Sequence, residues 1–257
     1  MASNAREILE QFTLQAEGFA ATPGMRDPDA LDRMLAVAAA AAADVVLDVA
    51  CGPGIVAAAY ARVVRQAIGV DLTPAMLAQA ARRQRELGLA NLAWVQADAL
   101  RLPFADASFS IVNSRYALHH CPEPAAMLRE MRRVCRPGGR VVVTDAAPAP
   151  EKAAAYNRAE KLRDPSHVRA YSLAGLTELF AAAGLPVPRA ECYRMSGTIA
   201  ELLRRSFPLP GDEPRLRELY RDSVRGDPLD MALSLDAGGA MRYGFPVAIL
   251  AAPRPAA

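Results

Sequence analysis

Three aspartates and one small-residue turn carry the first chemical signal. Asp48 stands just ahead of Ala50-Cys51-Gly52-Pro53-Gly54, at the end of an apolar run, while Asp71 and Asp98 close two further apolar runs, Ala67-Ile-Gly-Val and Leu92-Ala-Trp-Val-Gln-Ala. Gly52 and Gly54 let backbone approach a ligand with no Cβ in the way. The free N–H groups of a following helix then face whatever sits above the strand ends. Gly52-Pro-Gly54-Ile-Val-Ala57 satisfies the dinucleotide fingerprint, which alone fits a nicotinamide or flavin cofactor. The acids favour something else. A carboxylate at Asp48 repels a pyrophosphate but attracts an ammonium, or orients the loop amides through water. Asp98 offers an acceptor for an exocyclic amine such as adenine N6. Asp71 suits a ribose diol in either case.

A second set of residues suits proton transfer and acceptor binding. The chain has three histidines, and His119 and His120 are adjacent in Asn113-Ser-Arg-Tyr-Ala-Leu-His-His120. Imidazole titrates near pH 6.5, as a general base should; the alternative is that one of the pair caps a helix or bonds backbone. His167 lies in the polar stretch Lys161-Leu-Arg-Asp-Pro-Ser-His-Val-Arg-Ala-Tyr171. Arg163, Ser166, His167, Arg169 and Tyr171 suit an anionic or phenolic substrate. The alternative is a connector in which Asp164 pairs with an arginine. Asp145 ends another apolar run, facing either the cofactor mouth or this stretch.

The elements that must position these groups alternate. Strands are expected at Val45–Asp48, Ala67–Asp71, Leu92–Asp98, Phe109–Ser114 and Arg140–Asp145. Helices are expected over Ile55–Gln66, from Pro74 (Thr73 as N-cap) to Leu87, and over Pro122–Cys135. This is the pattern of a doubly wound, mostly parallel sheet, whose ligands bind beyond the carboxyl ends of the strands. Ahead of it stand an amphipathic helix over Ala5–Ala20 and a second helix, capped by Asp27 or Asp29, running through the alanine run to Ala43. Residues 1–43 thus read as a helical cap over the cofactor site or the substrate mouth. Residues 44–195 and 244–252 form the cofactor-binding domain, completed by a polar helix through Arg163, a helix from Ser172 to Ala183, and antiparallel edge strands Arg189–Met195 and Phe245–Ala251. Residues 196–243 read as a largely helical insertion, broken by Pro208, Pro210, Pro214 and Pro228: a substrate lid, or else an oligomer contact. Trp94 reads as core, Cys51 as a packed small side chain, and the tail after Ala252 is expected to fray.

Composition bounds the function. Hydrophobic content of 52%, charged content of 23% and a net charge of +2 over 257 residues suit a soluble globular protein and give no electrostatic case for a nucleic-acid partner. The four cysteines lack metal-ligand spacing, so no metal is expected, and with no signal peptide in view the cytoplasm is the expected compartment. No apolar run approaches the ~20 residues of a membrane span.

Four motifs in order then resemble a known family. Leu47-Asp-Val-Ala-Cys-Gly-Pro-Gly54, Gly69-Val-Asp-Leu-Thr-Pro-Ala-Met76, Ala97-Asp98 with Leu102-Pro-Phe104-Ala-Asp-Ala-Ser-Phe109, and Arg133-Val-Cys-Arg-Pro-Gly-Gly139 are similar to the class I S-adenosylmethionine-dependent methyltransferases, in the branch that includes ubiquinone and menaquinone methyltransferases. The resemblance implies a seven-stranded Rossmann-like sheet with its last strand antiparallel. It implies that Asp48, Ala50, Cys51, Gly52 and Gly54 serve the methionine end of S-adenosylmethionine, Asp71 and Leu72 the ribose, Met76 the adenosine, and Asp98 with Ala99 the adenine. Ser114 and Arg115 would meet the methionine portion; Tyr116, His119, His120 and His167 would face a small or medium organic acceptor. Ala50 departs from the family's glycine, a small loss of clearance, and Ser110 from its acid. A non-methylating enzyme on the same fold would keep these motifs. A nicotinamide oxidoreductase is disfavoured by Asp48 and the lack of Tyr-x-x-x-Lys, and a silent binding protein by the intact acids and glycines. A monomer or homodimer is compatible with the chain.

Overall fold

A computed structural model describes residues 3–256, with side chains from Ala5 onward. Its strands are β1 (Val45–Val49), β2 (Gln66–Asp71), β3 (Leu92–Gln96), β4 (Phe109–Arg115), β5 (Cys135–Ala146), β6 (Arg189–Thr198), the two-residue β7 (Ser234–Leu235) and β8 (Met241–Pro253). The order is β3-β2-β1-β4-β5-β8-β6, with β7 on the side of β8. The first five strands are parallel, and β8 is antiparallel to both β5 and β6, as the seven-stranded expectation required. β1 and β4 are buried almost throughout because both faces of the sheet are covered. Leu47, Val49 and Val112 point to one core with α5 (Pro124–Val134) and α7 (Leu173–Ala182). Val46 and Ile111 point to the other, with α2 (Pro28–Val37) and α3 (Ile55–Ala61), as the two-residue period dictates. The chain winds outward in opposite directions from β1 and β4, so the crevice at their carboxyl ends is the topological switch point.

α4 (Pro74–Leu87) starts after Thr73 and stops at left-handed Gly88, φ 63°, as expected. Other boundaries differ for local reasons. α2, capped by Asp27, ends at Val37 and not Ala43: the Asp44 carboxylate accepts from Ala41 N–H at 2.9 Å and meets Arg140 at 3.0 Å, turning the alanine run. α3 ends at Ala61, short of Gln66, because Asn91 Nδ2 donates to the carbonyls of Ala61 (2.8 Å) and Val64 (3.1 Å), and Gln66 already pairs with Val45. A 3₁₀ turn, Leu118–His120, precedes α5, which begins at Pro124 and not Pro122.

The segment 196–243 is less helical than expected. β6 and β8 extend into it from both sides, and besides the two-residue β7 it holds only α8 (Ile199–Arg204), opened by a Thr198–Glu201 capping box, and α9 (Asp212–Asp222). Leu202, Leu216, Tyr220 and Met231 are buried in a third core with Tyr156 of α6 (Ala153–Arg163) and Phe245 of β8, while Phe207, Leu209 and Leu235 are exposed. The tail is tied down through Arg254, whose N–H donates to Gly139 O and whose guanidinium donates to Arg133 O; Ala257 lies outside the described residues. Along the front of the molecule α1 (Ser3–Ala21) packs on α4, with Arg83 donating to Ala20 O at 3.1 Å and to Pro53 O at 3.1 Å.

Candidate active site

The β1 turn is tight and left-handed. Ala50, Gly52 and Gly54 have φ of 54°, 51° and 73°. Two of these suit glycine; Ala50 bears the conformation with a Cβ, so its cost is backbone strain more than lost clearance. Asp71, at the end of β2, pins the turn: its carboxylate accepts from Gly52 N–H and Thr73 N–H, both at 2.8 Å. Behind the turn lies Trp94. A Cβ at Gly54 would fall 2.5 Å from its ring, and one at Gly69 also 2.5 Å from the ring and 2.8 Å from Cys51 Sγ. Trp94 therefore fills the space that two glycines leave, and its Nε1 donates to Gln84 Oε1 at 2.8 Å. Cys51 is packed, and burial pushes its thiol well above the usual range, so it is no nucleophile.

Asp48 is 1% exposed. Asn113 Nδ2 donates to its Oδ1 at 2.8 Å, while Oδ2 is buried with no partner. Burial raises its pKa to about 7, against the pull of Asn113 and Arg115. A buried oxygen left unpaired is costly, and Asp48 lines a cavity of about 270 Å³. Asp48, Ala50, Cys51, Gly52, Asp71, Leu72, Met76, Asp98, Ala99 and Arg115 all line that cavity, as do Tyr116 and His120. Gly54 and Ser114 do not: Gly54 is the left-handed start of α3 backed by Trp94, and Ser114 is fully buried with its hydroxyl unpartnered. Ala5, Ile8, Phe12 and Phe19 of α1 form the outer wall, so the amphipathic face of the first helix covers the site.

A second chamber of about 50 Å³ shares Phe12, Phe19, Tyr116 and His120 with the first. All three histidines of the chain meet there, with ring centroids 4.2 Å (His119–His120), 5.5 Å (His119–His167) and 6.3 Å (His120–His167) apart. Their environments differ. His119 Nδ1 is hydrogen-bonded to Asp145, whose carboxylate also accepts from Leu118 N–H at 2.9 Å. Burial opposes protonation of His119, but Asp145 outweighs it and the pKa rises. Since the carboxylate accepts, Nδ1 carries the hydrogen and Nε2 the lone pair. His120 Nδ1 bonds Ser166 Oγ at 3.0 Å; that hydroxyl donates to Asp164 at 2.6 Å, so the histidine is the donor. Burial and the neighbouring His119 lower its pKa to about 4. His167 Nε2 bonds Asn157 Oδ1 at 2.7 Å, and its Nδ1 is buried without a partner; burial and the two neighbouring imidazoles push its pKa far down.

The rest of the polar stretch divides. Arg163 pairs with Glu160 at 2.6 Å, and Asp164 accepts from Gln15 of α1 and from Ser166 instead of pairing with an arginine. Arg169 stacks over Tyr171 at 4.8 Å, away from both chambers. Tyr116, at φ 56°, joins hydroxyls with Tyr193 at 3.0 Å, and burial pushes its phenol well up, so it walls both chambers without acting as a base at neutral pH. Gln15, Asn113, Glu160 and Arg205 were not singled out by sequence; Gln15 and Asn113 are held by partners remote in the chain, Asp164 and Asp48, while Glu160 pairs with Arg163 three residues on. Among the described residues no group of three or more His, Cys, Asp or Glu is arranged to hold a metal ion, and no helix is long and apolar enough to cross a membrane.

A strand order reversing between β1 and β4, with acids around a left-handed turn at the switch point, defines an α/β enzyme class that seats a nucleoside-bearing cofactor. The methyltransferase domain family matches residues 47–143. The uncharacterized methyltransferase YcgJ of Bacillus subtilis (strain 168) is 35% identical over 173 residues, covering 66% of this chain and 68% of its own length. The YcgJ crystal structure aligns with a TM-score of 0.80 at 26% identity over 89% of this chain and 99% of that one. The 2-phytyl-1,4-naphtoquinone methyltransferase of Synechococcus elongatus is 40% identical over 111 residues, 42% of this chain and 48% of its length. The chain belongs to the S-adenosylmethionine-dependent methyltransferases, and S-adenosylmethionine is its cofactor.

Proposed function

We propose that the protein methylates a small organic acceptor whose nucleophile must lose a proton, with His119 as the general base. The cofactor, when bound, supplies an electrophilic methyl group, and the acceptor attacks it in line. The unpartnered Oδ2 of Asp48 would receive the cofactor's ammonium, Asp71 the ribose hydroxyls and Asp98 the adenine amine. Arg115, held by its bond to Met25 O at 2.7 Å, borders the methionine end. Phe12 and Phe19 of α1 exclude water from the reacting atoms, and the wall shared by the two chambers sets the approach of the acceptor.

The observation that carries this reading is the His119–Asp145 pair. A carboxylate behind Nδ1 fixes the tautomer, leaves Nε2 to accept the proton and stabilises the imidazolium that forms. His120 and His167, neutral at physiological pH, line the same chamber without competing for that proton. His119 Nε2 would take the acceptor's proton during methyl transfer, with Asp145 behind it holding the imidazolium, while the bound cofactor would supply the methyl group and its sulfur the leaving group.

The test is a time course with S-adenosylmethionine and a panel of hydroxylated and amino acceptors, scored for S-adenosylhomocysteine together with methylated product. A non-methylating enzyme on this fold would convert its substrate with the cofactor left intact, and that result would sink the proposal. Tight binding of NAD in place of S-adenosylmethionine, read by calorimetry, would do the same.

A further inference from the structure

Two residues that line the second chamber, Arg205 and His167, each carry a buried polar atom with no partner, one a donor and the other an acceptor. Arg205 is 5% exposed and its Nε is unpaired. Among the described residues no carboxylate lies within ion-pair distance of it, whereas the neighbouring Arg163 is neutralised by Glu160. The stem of Arg205 is fixed: its guanidinium lies 5.5 Å over Phe19, and Gly18 packs so closely that a Cβ there would fall 3.2 Å from the arginine's own.

His167 is 1% exposed, and its tautomer can be read from the bonds around Asn157. Asn157 Nδ2 donates to Ala153 O (2.8 Å) and Ala170 O (3.0 Å), and its Oδ1 accepts from Ala170 N–H (2.6 Å). The amide orientation is thereby fixed, so His167 Nε2 must donate to Oδ1 and its unpartnered Nδ1 holds a lone pair. The chamber thus presents a cationic N–H donor and a neutral acceptor, both desolvated, and both atoms call for a ligand.

We infer that this chamber anchors the methyl acceptor by a small monoanionic head group of carboxylate size, bound to Arg205, with an adjoining O–H or N–H donated to His167. This rests on the acceptor-side reading of the chamber given above. Size limits the head group: about 50 Å³ compares with the roughly 10–15 Å³ needed to hold one water, so a group of a few heavy atoms such as a carboxylate fits and the body of the acceptor must pass Tyr116 and His120 into the larger cavity. Charge limits it as well. Glu160 and Asp164 line the chamber, Asp145 stands behind His119, and Arg163 is already paired with Glu160, so Arg205 offsets one negative charge and a second, as on a phosphate dianion, would be repelled by the acids.

The test uses matched pairs, salicylate against salicylamide and mandelate against mandelamide, titrated calorimetrically into the protein saturated with S-adenosylhomocysteine. At least one hydroxy acid should bind ten-fold or more tightly than its amide. Arg205→Met should abolish that preference while leaving S-adenosylhomocysteine affinity unchanged, and Arg205→Lys, which keeps the charge, should retain part of it. Absence of carboxylate preference in wild-type protein, whether both members of each pair bind alike or neither binds, overturns the inference without any variant. So does a preference that survives Arg205→Met. Failure to bind S-adenosylhomocysteine at all would instead strike the methyl-transfer proposal.

Discussion

The two chambers share a wall but are built on different principles. The larger one is made by backbone: a left-handed turn, the carboxyl ends of parallel strands, and acids drawn mostly from the motifs between residues 48 and 99. The smaller one is made by side chains that meet across the chain, with Gln15 bonded to Asp164 over a separation of 149 residues, His120 to Ser166 over 46 and Arg163 to Ser206 over 43. Backbone at a switch point suits a cofactor site, and the proposal above assigns the chamber built from remote side chains to the acceptor. Division of labour between the chambers is therefore the property to challenge.

The largest effect is expected at His119. His119→Ala should lower kcat by about 10²–10⁴-fold, the usual contribution of a positioned base, with S-adenosylhomocysteine affinity unchanged. Because Asp145 raises the His119 pKa, the base is lost on the acid side. The rate should fall as pH drops through a value above 6.5, and this limb should vanish in the variant. Loss of cofactor affinity along with kcat would mean that the chambers are not separable.

Gly54→Ala attacks the other side of the comparison. Forcing a Cβ to 2.5 Å from Trp94 at a left-handed position should destabilise the fold by roughly 3 kcal/mol, combining overpacking with backbone strain. Measured by denaturant unfolding, Trp94→Leu in the same chain should recover part of the loss. Without such recovery, Trp94 would not be the filler beneath the loop.

Asp48→Asn is expected to weaken S-adenosylmethionine binding by about 2 kcal/mol, roughly 30-fold, as for a hydrogen bond to a charged group. The wild-type protein should show the pH signature of the unpaired carboxylate. With a pKa of about 7 before binding, Asp48 must lose a proton to meet an ammonium, so affinity should fall about ten-fold per unit as pH drops below 7. Asn at this position should flatten that dependence, and a pH-independent wild-type affinity would argue against the ammonium contact.

Legibility in the sequence followed the same division. The strand-end acids and the glycine turn could be read because their geometry is set within short stretches: Asp71 reaches Gly52 and Thr73 by local backbone direction once β1 and β2 lie side by side. The α2 boundary could not be read from propensity, since the alanine run is turned by Asp44 and by Arg140 arriving from β5. The helix content of the insertion was overestimated for a related reason. Leu202 and Leu216 are buried in a core with Tyr156 and Phe245, and β6 and β8 run into the segment from both ends, pairings that lie far apart in the chain. His119 and His167 were visible as candidates; their different roles were not, because Asp145 and Asn157, which set the two tautomers, are identified only by contact.

Ala50 gives the smallest effect and the sharpest view of the turn. Its φ of 54° is the conformation glycine adopts freely and alanine does not. Ala50→Gly removes a left-handed penalty of about 1–2 kcal/mol, while the more flexible unfolded chain takes back about 0.5–1 kcal/mol. The net gain should be about 0.5 kcal/mol, or about 1–2 °C in Tm for a chain of this size. S-adenosylmethionine affinity should hold, because the cavity is shaped by the path of the backbone, which both residues follow. Carboxylate preference in the second chamber should hold for a different reason, since no atom of Ala50 lines it. A drop in cofactor affinity without a change in stability would show that the Cβ of Ala50 touches the ligand, and the turn would then recognise its cofactor by side chain as well as by backbone.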